Sequence, residues 1–237
     1  MIFLLTNDDG IHAQGLQTFI ESIDEHDLVL TVAPKEHLSG CGHQVTSRIP
    51  IKVEKLPTSR INEVGRWVVN GTPADCIRLA INALGPENGL HIDWVLSGIN
   101  AGGNLGVDIY TSGTVAASRE AAIHGLPSIA MSHHINGKPI NWKLAKIRAI
   151  HVIKEILKRK QMPGSFWNVN LPQTSHDQSR LDIVDCPADI NPVDLRFFLN
   201  SDGTYTNKGI YQKRPRASDS DVSVCFEGKV SVSKLTL

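Results

Sequence analysis

Two adjacent aspartates come directly after the first apolar run of the chain. Residues 2–6 are predicted to form a buried strand, and Asn7, Asp8, Asp9 and Gly10 make the tight loop behind it. Two ionised carboxylates about 4 Å apart repel each other by roughly 4 kcal/mol at an effective dielectric constant of about 20. A bound cation removes that cost, and carboxylate oxygens select hard ions, so the pair predicts a site for Mg²⁺ or Mn²⁺. The alternative is a helix cap, but a cap needs one aspartate and not two.

A second polar loop, residues 38–46, follows the next predicted strand. It offers Ser39, Gly40, His43 and Thr46, whose hydroxyls and exposed backbone amides are groups that coordinate a cation or approach a phosphate. Serine and glycine are also the ordinary residues of any loop, so this segment alone is weak support for a site.

The third polar loop, residues 97–114, is rich in glycine and asparagine. Asn100 and Asn104 lie within it, and Ser112-Gly113-Thr114 opens a predicted helix. Glycines let a phosphate come close to the backbone, and free amides at a helix start bind anions. The lysine of a nucleoside triphosphatase loop and the G-x-G-x-x-G spacing of a dinucleotide site are both missing, which disfavours those two classes of enzyme.

Short apolar runs alternate with amphipathic stretches, the pattern of an α/β fold with a mostly parallel sheet. Strands are predicted at 2–6, 28–33, 51–56, 67–69, 92–96, 128–131 and 166–170. Helices are predicted at 13–23, 73–84, 112–124 and 142–160, with Thr72 as the cap of the second. All three polar loops then emerge at the carboxyl edge of the sheet, where open α/β folds bind ligands.

The pattern of polar and apolar residues changes over the last fifty residues. Residues 187–220 are polar and predict loops and hairpins, and residues 222–237 alternate again, predicting a terminal hairpin that turns at Glu227-Gly228. We therefore expect a catalytic core over 1–186 and a C-terminal hairpin or arm region over 187–237, part of the same domain or swapped between subunits.

Composition limits the possible partners. The 237 residues are 41% hydrophobic and 20% charged, with 24 acidic and 24 basic side chains. Such a chain can bury one sizeable core, and it lacks the basic surplus expected of a protein that binds nucleic-acid duplexes. The four cysteines form no C-x-x-C pair, and no stretch is long enough for a membrane span. We expect a cytoplasmic protein with a small-molecule ligand and no membrane partner.

Several longer motifs resemble one known family. They are Leu4-Leu5-Thr6-Asn7-Asp8-Asp9-Gly10, Ala33-Pro34 with Ser39-Gly40, Asn70-Gly71-Thr72-Pro73-Ala74-Asp75-Cys76, Ser97-Gly98-Ile99-Asn100 with Gly102 and Asn104-Leu105-Gly106, and Ser112-Gly113-Thr114-Val115-Ala116-Ala117. Together they resemble the SurE family, stationary-phase survival proteins that act as 5′- and 3′-nucleotidases. The match covers residues 1 to about 132, and weaker similarity continues in residues 168–172 and in the final strands.

The resemblance implies a Rossmann-like core and a set of site residues. One divalent cation per subunit, Mg²⁺ or Mn²⁺, is assigned to Asp8, Asp9, Ser39 and Asn100. Phosphate contacts are assigned to Asn104, Ser112, Gly113 and Thr114, to which we add Asn7 and Gly40 as candidate substrate-binding residues. C-terminal β-hairpins exchanged between subunits imply a homodimer or homotetramer. The family commonly has tyrosine directly before Ser112, whereas this chain has Thr111, with Tyr110 one place earlier.

The predicted reaction is hydrolysis of nucleoside 5′-monophosphates, with 3′-monophosphates and short polyphosphate as further substrates. A cation would polarise the phosphoryl group and activate an in-line water, with Asp8 or Asp9 as the base. A covalent aspartyl-phosphate is the mechanistic rival, although its usual Asp-x-Asp spacing is missing. A zinc site is disfavoured because no histidine pair has a recognised ligand spacing, and His133 and His134 are expected to be surface or packing residues. A non-catalytic nucleotide or metal sensor stays open.

Overall fold

A nine-stranded, mostly parallel sheet forms the centre of the protein. The computed structural model describes residues 1–174 and 178–237. Its strands are β1 Ile2–Thr6, β2 Leu28–Pro34, β3 Val53–Lys55, β4 Glu63–Val69, β5 Trp94–Ala101, β6 Ser128–His133, β7 Ser165–Leu171, β8 Ile183–Asp185, β9 Phe197–Leu199, β10 Tyr205–Asn207 and β11 Val230–Thr236. The main sheet has the order β3-β4-β2-β1-β5-β6-β7-β11-β8, and β9 and β10 form a separate antiparallel hairpin. The α/β prediction is confirmed, and so is the prediction of a hairpin within residues 187–220.

Helices cover both faces of this sheet. They are α1 Gln14–Ile20, α2 Pro73–Leu79, α3 Gly85–Glu87, α4 Gly113–Ile123, α5 Trp142–Leu157 and α6 Asp221–Phe226, and a single π-helical stretch, Ala80–Leu84, joins α2 to α3. Helices α1 and α5 pack on one face and α2 and α4 on the other. Within the described residues, no helix has both the length and the apolar character needed to cross a bilayer.

The central strands are unbroken apolar runs because both of their faces are buried in the core. In β1, Phe3 and Leu5 point into the cluster that α1 and α5 cover, whereas Leu4 points into the cluster beneath α2 and α4. A parallel strand that is buried on both faces needs apolar residues at every position. The tip of β1 is thereby held rigidly between β2 and β5, with which it pairs in parallel.

Strand β5 runs further than the sequence predicts. Residues 97–101 were expected in a loop, but they continue the strand to Ala101, and the register against β6 shifts between Gly98 and Asn100. Gly98 has φ +133°, and a Cβ there would lie 2.1 Å from the Met131 carbonyl oxygen. The glycine, serine and asparagine that indicate a turn instead form a β-bulge, which brings Asn100 to the edge of the sheet beside β1.

The predicted terminal hairpin over 222–237 is wrong in its first half. Ser220 accepts a hydrogen bond from the Ser223 amide and begins helix α6, and Val222 and Cys225 are buried on one side of that helix. The alternating valines at this point match a strand, but the serine cap and the three-residue spacing of the buried pair favour a helix. Only β11 is a strand, and it pairs antiparallel with β7.

Helix α1 approaches β5 so closely that Gly15 leaves no room for a side chain. A Cβ at this position would lie 1.9 Å from the Ile99 carbonyl oxygen. We predict that Gly15→Ala lowers the free energy of unfolding by about 1–3 kcal/mol, because the overlap outweighs the better helix propensity of alanine. Urea unfolding measures the change. Gln14→Ala, at an exposed position of the same helix, is the matched control, and equal stability of the two variants would contradict the close approach.

Candidate active site

Asp8 lies in a buried position between the tip of β1 and the start of helix α4. Its side chain is 3% exposed, and Thr114 Oγ1 donates a hydrogen bond of 2.5 Å to Asp8 Oδ1. A Cβ at Gly113 would lie 3.0 Å from Asp8 Oδ2 and 2.8 Å from Cys41 Sγ. Only glycine therefore allows the first turn of α4 to approach this carboxylate.

Asp9 connects the two other predicted loops. Its Oδ2 accepts a hydrogen bond of 3.2 Å from the Ala101 amide, next to Asn100 at the end of β5. Its Oδ1 lies 3.1 Å from His37 Nδ1, and His37 Nε2 lies 2.7 Å from Ser39 Oγ. With the proton on Nδ1, as these partners indicate, Ser39 donates to His37 and keeps its oxygen lone pairs available for a cation.

Backbone hydrogen bonds hold the second loop against both neighbours. The Leu38 amide donates to the Asp8 carbonyl over 2.8 Å, and the Gly42 amide donates to the Thr111 carbonyl over 3.0 Å. Gly40 lies exposed between these anchors with φ +73°, a conformation that favours glycine. The loop is thus fixed where it meets the aspartates and open where a substrate would arrive.

Two asparagine side chains present oxygen atoms near the aspartates. Asn100 Nδ2 donates to the Gly102 carbonyl over 2.8 Å, which leaves Oδ1 as the free end of the amide. Asn7 Nδ2 donates to the Gly10 carbonyl over 2.9 Å, and its buried Oδ1 has no hydrogen-bond partner among the described residues. A buried amide oxygen without a donor is available to a cation or to a cation-bound water.

The other predicted substrate residues occupy two places. Ser112 caps α4 by accepting from the Val115 amide over 3.1 Å, beside Gly113 and Thr114. Asn104 is held against β6 and β7, because its Nδ2 donates to Ser132 Oγ over 2.7 Å and its backbone amide donates to Asn170 Oδ1 over 2.8 Å. Asn104 therefore stabilises the end of the third loop against β6 and β7.

The structure shows where Thr111 lies, the residue that stands where the family commonly has tyrosine, and where the neighbouring Tyr110 lies. The Thr111 hydroxyl donates to the Asp108 carbonyl, and the side chain of Tyr110 is 71% exposed. The aromatic ring is therefore on the surface in this subunit.

The environment of Asp8 disfavours its charged form. Burial raises the pKa of the Asp8 carboxyl, the charge of Asp9 raises it further, and the Thr114 hydrogen bond offsets only part of this rise. Burial and the charge of Asp8 also raise the pKa of the Cys41 thiol. A divalent cation between the aspartates would relieve this electrostatic cost, so the residues present fit the predicted ion.

A buried ion network that the sequence analysis missed supports the second loop. Glu120, on the face of α4 that packs toward α2, is 1% exposed. It accepts from Arg78 Nε over 2.7 Å, and His43 Nε2 and His124 Nε2 lie 2.6 and 3.2 Å from it. Spacing within α4 reveals the His124 contact at i+4, but no local pattern reveals contacts that are 42 and 77 residues away.

His133 and His134, expected to be surface or packing residues, are packing residues. Both are buried, and burial lowers the pKa of His133 to about 4. The His134 ring stacks on Phe226 with centroids 4.8 Å apart. The pair thus links β6 to the C-terminal helix.

Comparison with known proteins settles the family. The model of the family described as "Survival protein SurE" matches residues 3–186. This chain belongs to the SurE family. A relative from Nostoc sp. (strain PCC 7120) is 42% identical over 236 residues, with 99% of both chains covered. The 5′-nucleotidase SurE of Syntrophomonas wolfei is 32% identical over 253 residues, which covers 99% of this chain and 88% of that protein.

A solved SurE structure has the same architecture. The crystal structure of the SurE protein from Aquifex aeolicus aligns with a TM-score of 0.82 at 29% identity, over 100% of this chain and 93% of that one. The resemblance read from the motifs is therefore confirmed for the family and for the fold.

The Glu120 network gives a prediction for stability. Burial alone raises the pKa of the Glu120 carboxyl, but hydrogen bonds from Arg78 and His43 outweigh burial and hold this pKa below its usual value. We predict that Glu120→Gln lowers the free energy of unfolding at pH 7 by about 1–3 kcal/mol, because charge-assisted hydrogen bonds are lost. Chemical denaturation measures the difference from wild type.

The direction of the Glu120 pKa shift determines how the stability difference between wild type and Glu120→Gln changes with pH. A carboxyl whose folded pKa is depressed contributes stability above its unfolded pKa of about 4.3 and loses it as the pH falls through the folded value. The gap between wild type and Glu120→Gln should therefore close below that pKa. The exposed Glu87→Gln is the control. A gap that stays constant from pH 7 into this acid range would contradict the network's role.

Proposed function

We propose that this SurE-family protein is a divalent-metal-dependent phosphatase that hydrolyses nucleoside 5′-monophosphates to nucleoside and phosphate. The observation that carries the proposal is the buried Asp8 carboxylate, which lies beside Asp9 and directly under the start of helix α4. A relative that aligns with 99% of this chain is named 5′-nucleotidase SurE. Carboxylates that need a cation, next to a helix start that attracts an anion, suit a phosphate monoester.

The cation ligands that we propose are Asp8, Asp9, Ser39 and Asn100, with one ion in each subunit. All four supply oxygen, which suits Mg²⁺ or Mn²⁺ better than softer ions. When bound, the ion would place positive charge against the phosphoryl oxygens and lower the pKa of the attacking water.

The chain's own residues would position the phosphate. The amides of the first helical turn have no carbonyl partner within the helix, and the Gly113 amide at the start of α4 would meet the anion. Ser112 accepts from the Val115 amide, so its hydroxyl hydrogen is free to donate to a phosphoryl oxygen. Both the hydroxyl and the backbone amide of Thr114 hydrogen bond to Asp8, so Thr114 would act on the phosphate by orienting that carboxylate. Asn7, Gly40 and Asn104 are the further residues that we propose for substrate binding.

Asp9 fits the role of general base better than Asp8. The Asp8 carboxylate is buried and already accepts a hydrogen bond from Thr114. Asp9 is more exposed, and its neighbour His37 is largely in solvent, so a proton taken from water has a route out. A positioned carboxylate of this kind contributes about 10²–10⁴-fold to a rate.

The contacts of His37 suggest a second candidate mechanism, in which Ser39 is an activated nucleophile. Asp9, His37 and Ser39 follow one another in the order of acid, base and nucleophile that activates serine hydrolases. In this route Ser39 Oγ would give its proton to His37 and attack phosphorus, the bond from phosphorus to the nucleoside oxygen would break, and water would then hydrolyse the phosphoserine. Acid quenching during turnover distinguishes the two routes, because the cation route forms no covalent phosphoenzyme.

We also propose that the protein works as a cytoplasmic homodimer or homotetramer. The β9–β10 hairpin carries Phe197, Phe198, Leu199 and Tyr205, which are 61%, 49%, 64% and 66% exposed. Adjacent apolar side chains on a protruding hairpin suit a surface that a second copy covers. The region from residue 187 onward would then contribute to assembly, in part by exchange between subunits.

Replacing Asp9 tests the activity. We predict that Asp9→Asn lowers kcat for AMP by at least about 10²-fold, because a base and a cation ligand are lost together. Phosphate release from AMP, from a 3′-monophosphate and from short polyphosphate is measured with Mg²⁺, Mn²⁺ or EDTA. Asp182→Asn, at an exposed position, is the control. Wild-type protein that binds AMP but releases no phosphate with either metal would instead indicate a sensor.

Replacing Asp8 tests two properties of this residue: the effect of its buried charge on stability and its role as a cation ligand. We predict that Asp8→Asn raises the free energy of unfolding in EDTA by about 1–2 kcal/mol, because a buried charge next to Asp9 is removed. Mn²⁺ at 100 times its Kd should stabilise wild type by about 2.7 kcal/mol and the variant far less. Thermal unfolding with and without Mn²⁺ measures both effects. A variant that is less stable in EDTA and still stabilised by Mn²⁺ would contradict the assignment.

A further inference from the structure

A cavity of about 190 Å³ lies beside the aspartates, at the carboxyl ends of β2 and β4. Leu38, Cys41 and Gln44 line it from the second loop, and Val69, Asn70 and Thr72 line it from the end of β4 and the start of α2. No step of the proposed hydrolysis uses it. Its volume is below the roughly 300 Å³ of a pocket that encloses a complete ligand, so it fits one part of a larger molecule.

Two residues that line the cavity, Leu38 and Cys41, also contact the phosphate side of the site. The Leu38 amide is hydrogen bonded to the Asp8 carbonyl, and Cys41 Sγ lies against Gly113, where the helix start would meet a phosphate. In the sheet, β4 is two strands away from β1, a separation of about 10 Å at the usual strand spacing. A molecule whose phosphate lies over Asp8 can therefore extend its other end into the cavity.

The cavity wall suits an uncharged, hydrogen-bonding group. Gln44 and Asn70 are exposed, and within the described part of the chain neither side-chain amide makes a hydrogen bond. Each amide offers donors and an acceptor, as a nucleobase edge does. Lys35 and Glu36 add charges of opposite sign at the same place, so the cavity has no positive surplus for a chain of phosphates.

We infer that this cavity is the nucleoside subsite of the enzyme, with Leu38 in contact with a ring face and Gln44 and Asn70 hydrogen bonded to the nucleoside. The inference rests on the proposed function, which it deepens by assigning a place for the part of the substrate that does not react. It also favours nucleoside monophosphates over polyphosphate as substrates.

The test compares AMP with p-nitrophenyl phosphate, a monoester without a nucleoside. Gln44→Ala and Asn70→Ala should each lower the ratio of kcat/KM for AMP to kcat/KM for p-nitrophenyl phosphate about fivefold, the effect of one lost hydrogen bond. Asn88→Ala is the matched control, since Asn88 donates to the Leu84 carbonyl away from the cavity, and it should keep the wild-type ratio. An unchanged ratio in both cavity variants, with wild type active on AMP, would overturn the subsite and leave the proposed function standing.

A binding measurement covers the case in which hydrolysis itself fails. Adenosine, which has no phosphate, should bind to wild type in calorimetry and should bind about fivefold more weakly to Gln44→Ala and to Asn70→Ala. Equal affinity of adenosine for all variants, or no binding to wild type, would overturn the subsite. Loss of phosphate release from both esters in wild type would overturn the proposed function alone.

Discussion

Repulsion between two neighbouring carboxylates is the constraint on which the rest of the site depends. Asp8 is buried at the tip of the first strand, and the charge of Asp9 adds to the cost of ionising it. Three groups that interact with charge surround Asp8: the hydroxyl of Thr114, the Asn7 side-chain oxygen, which has no donor among the described residues, and the start of α4 at Gly113. In the function that we propose, a bound cation would offset this repulsion and would in turn attract the negative charge of a phosphate.

The scaffold holds this arrangement by fixing each loop at more than one point. The parallel sheet aligns the ends of β1, β2 and β5, and the bulge in β5 adds the residues that bring Asn100 level with Asp9. Glu120 holds the second loop from the side of the helices through His43. Because these supports are buried, the site is positioned by the core rather than by the loops themselves.

The sequence predicts the α/β fold and the three polar loops because periodicity and the order of elements are local properties. It misplaces Asn100 in a loop, since glycine and asparagine indicate a turn unless the neighbouring strand is known to pair with them. It misses the contacts of His37 and Glu120 for a different reason, because both depend on elements that meet only in the folded chain. The motif of residues 70–76 shows both a local and a non-local property. The local sequence predicts that Thr72 is a helix cap, but it does not predict that Thr72 lines a cavity.

Membership of the SurE family is shown, and the proposal that this chain adds is a hard cation held at Asp8 that activates a phosphate monoester. The most direct measurement is an anomalous difference map from a crystal soaked in Mn²⁺. The account predicts one peak per subunit within about 2.3 Å of oxygen atoms from both Asp8 and Asp9, with Ser39 and Asn100 completing the protein ligands. A map with no peak there, and with the two carboxylates turned away from each other, would contradict it.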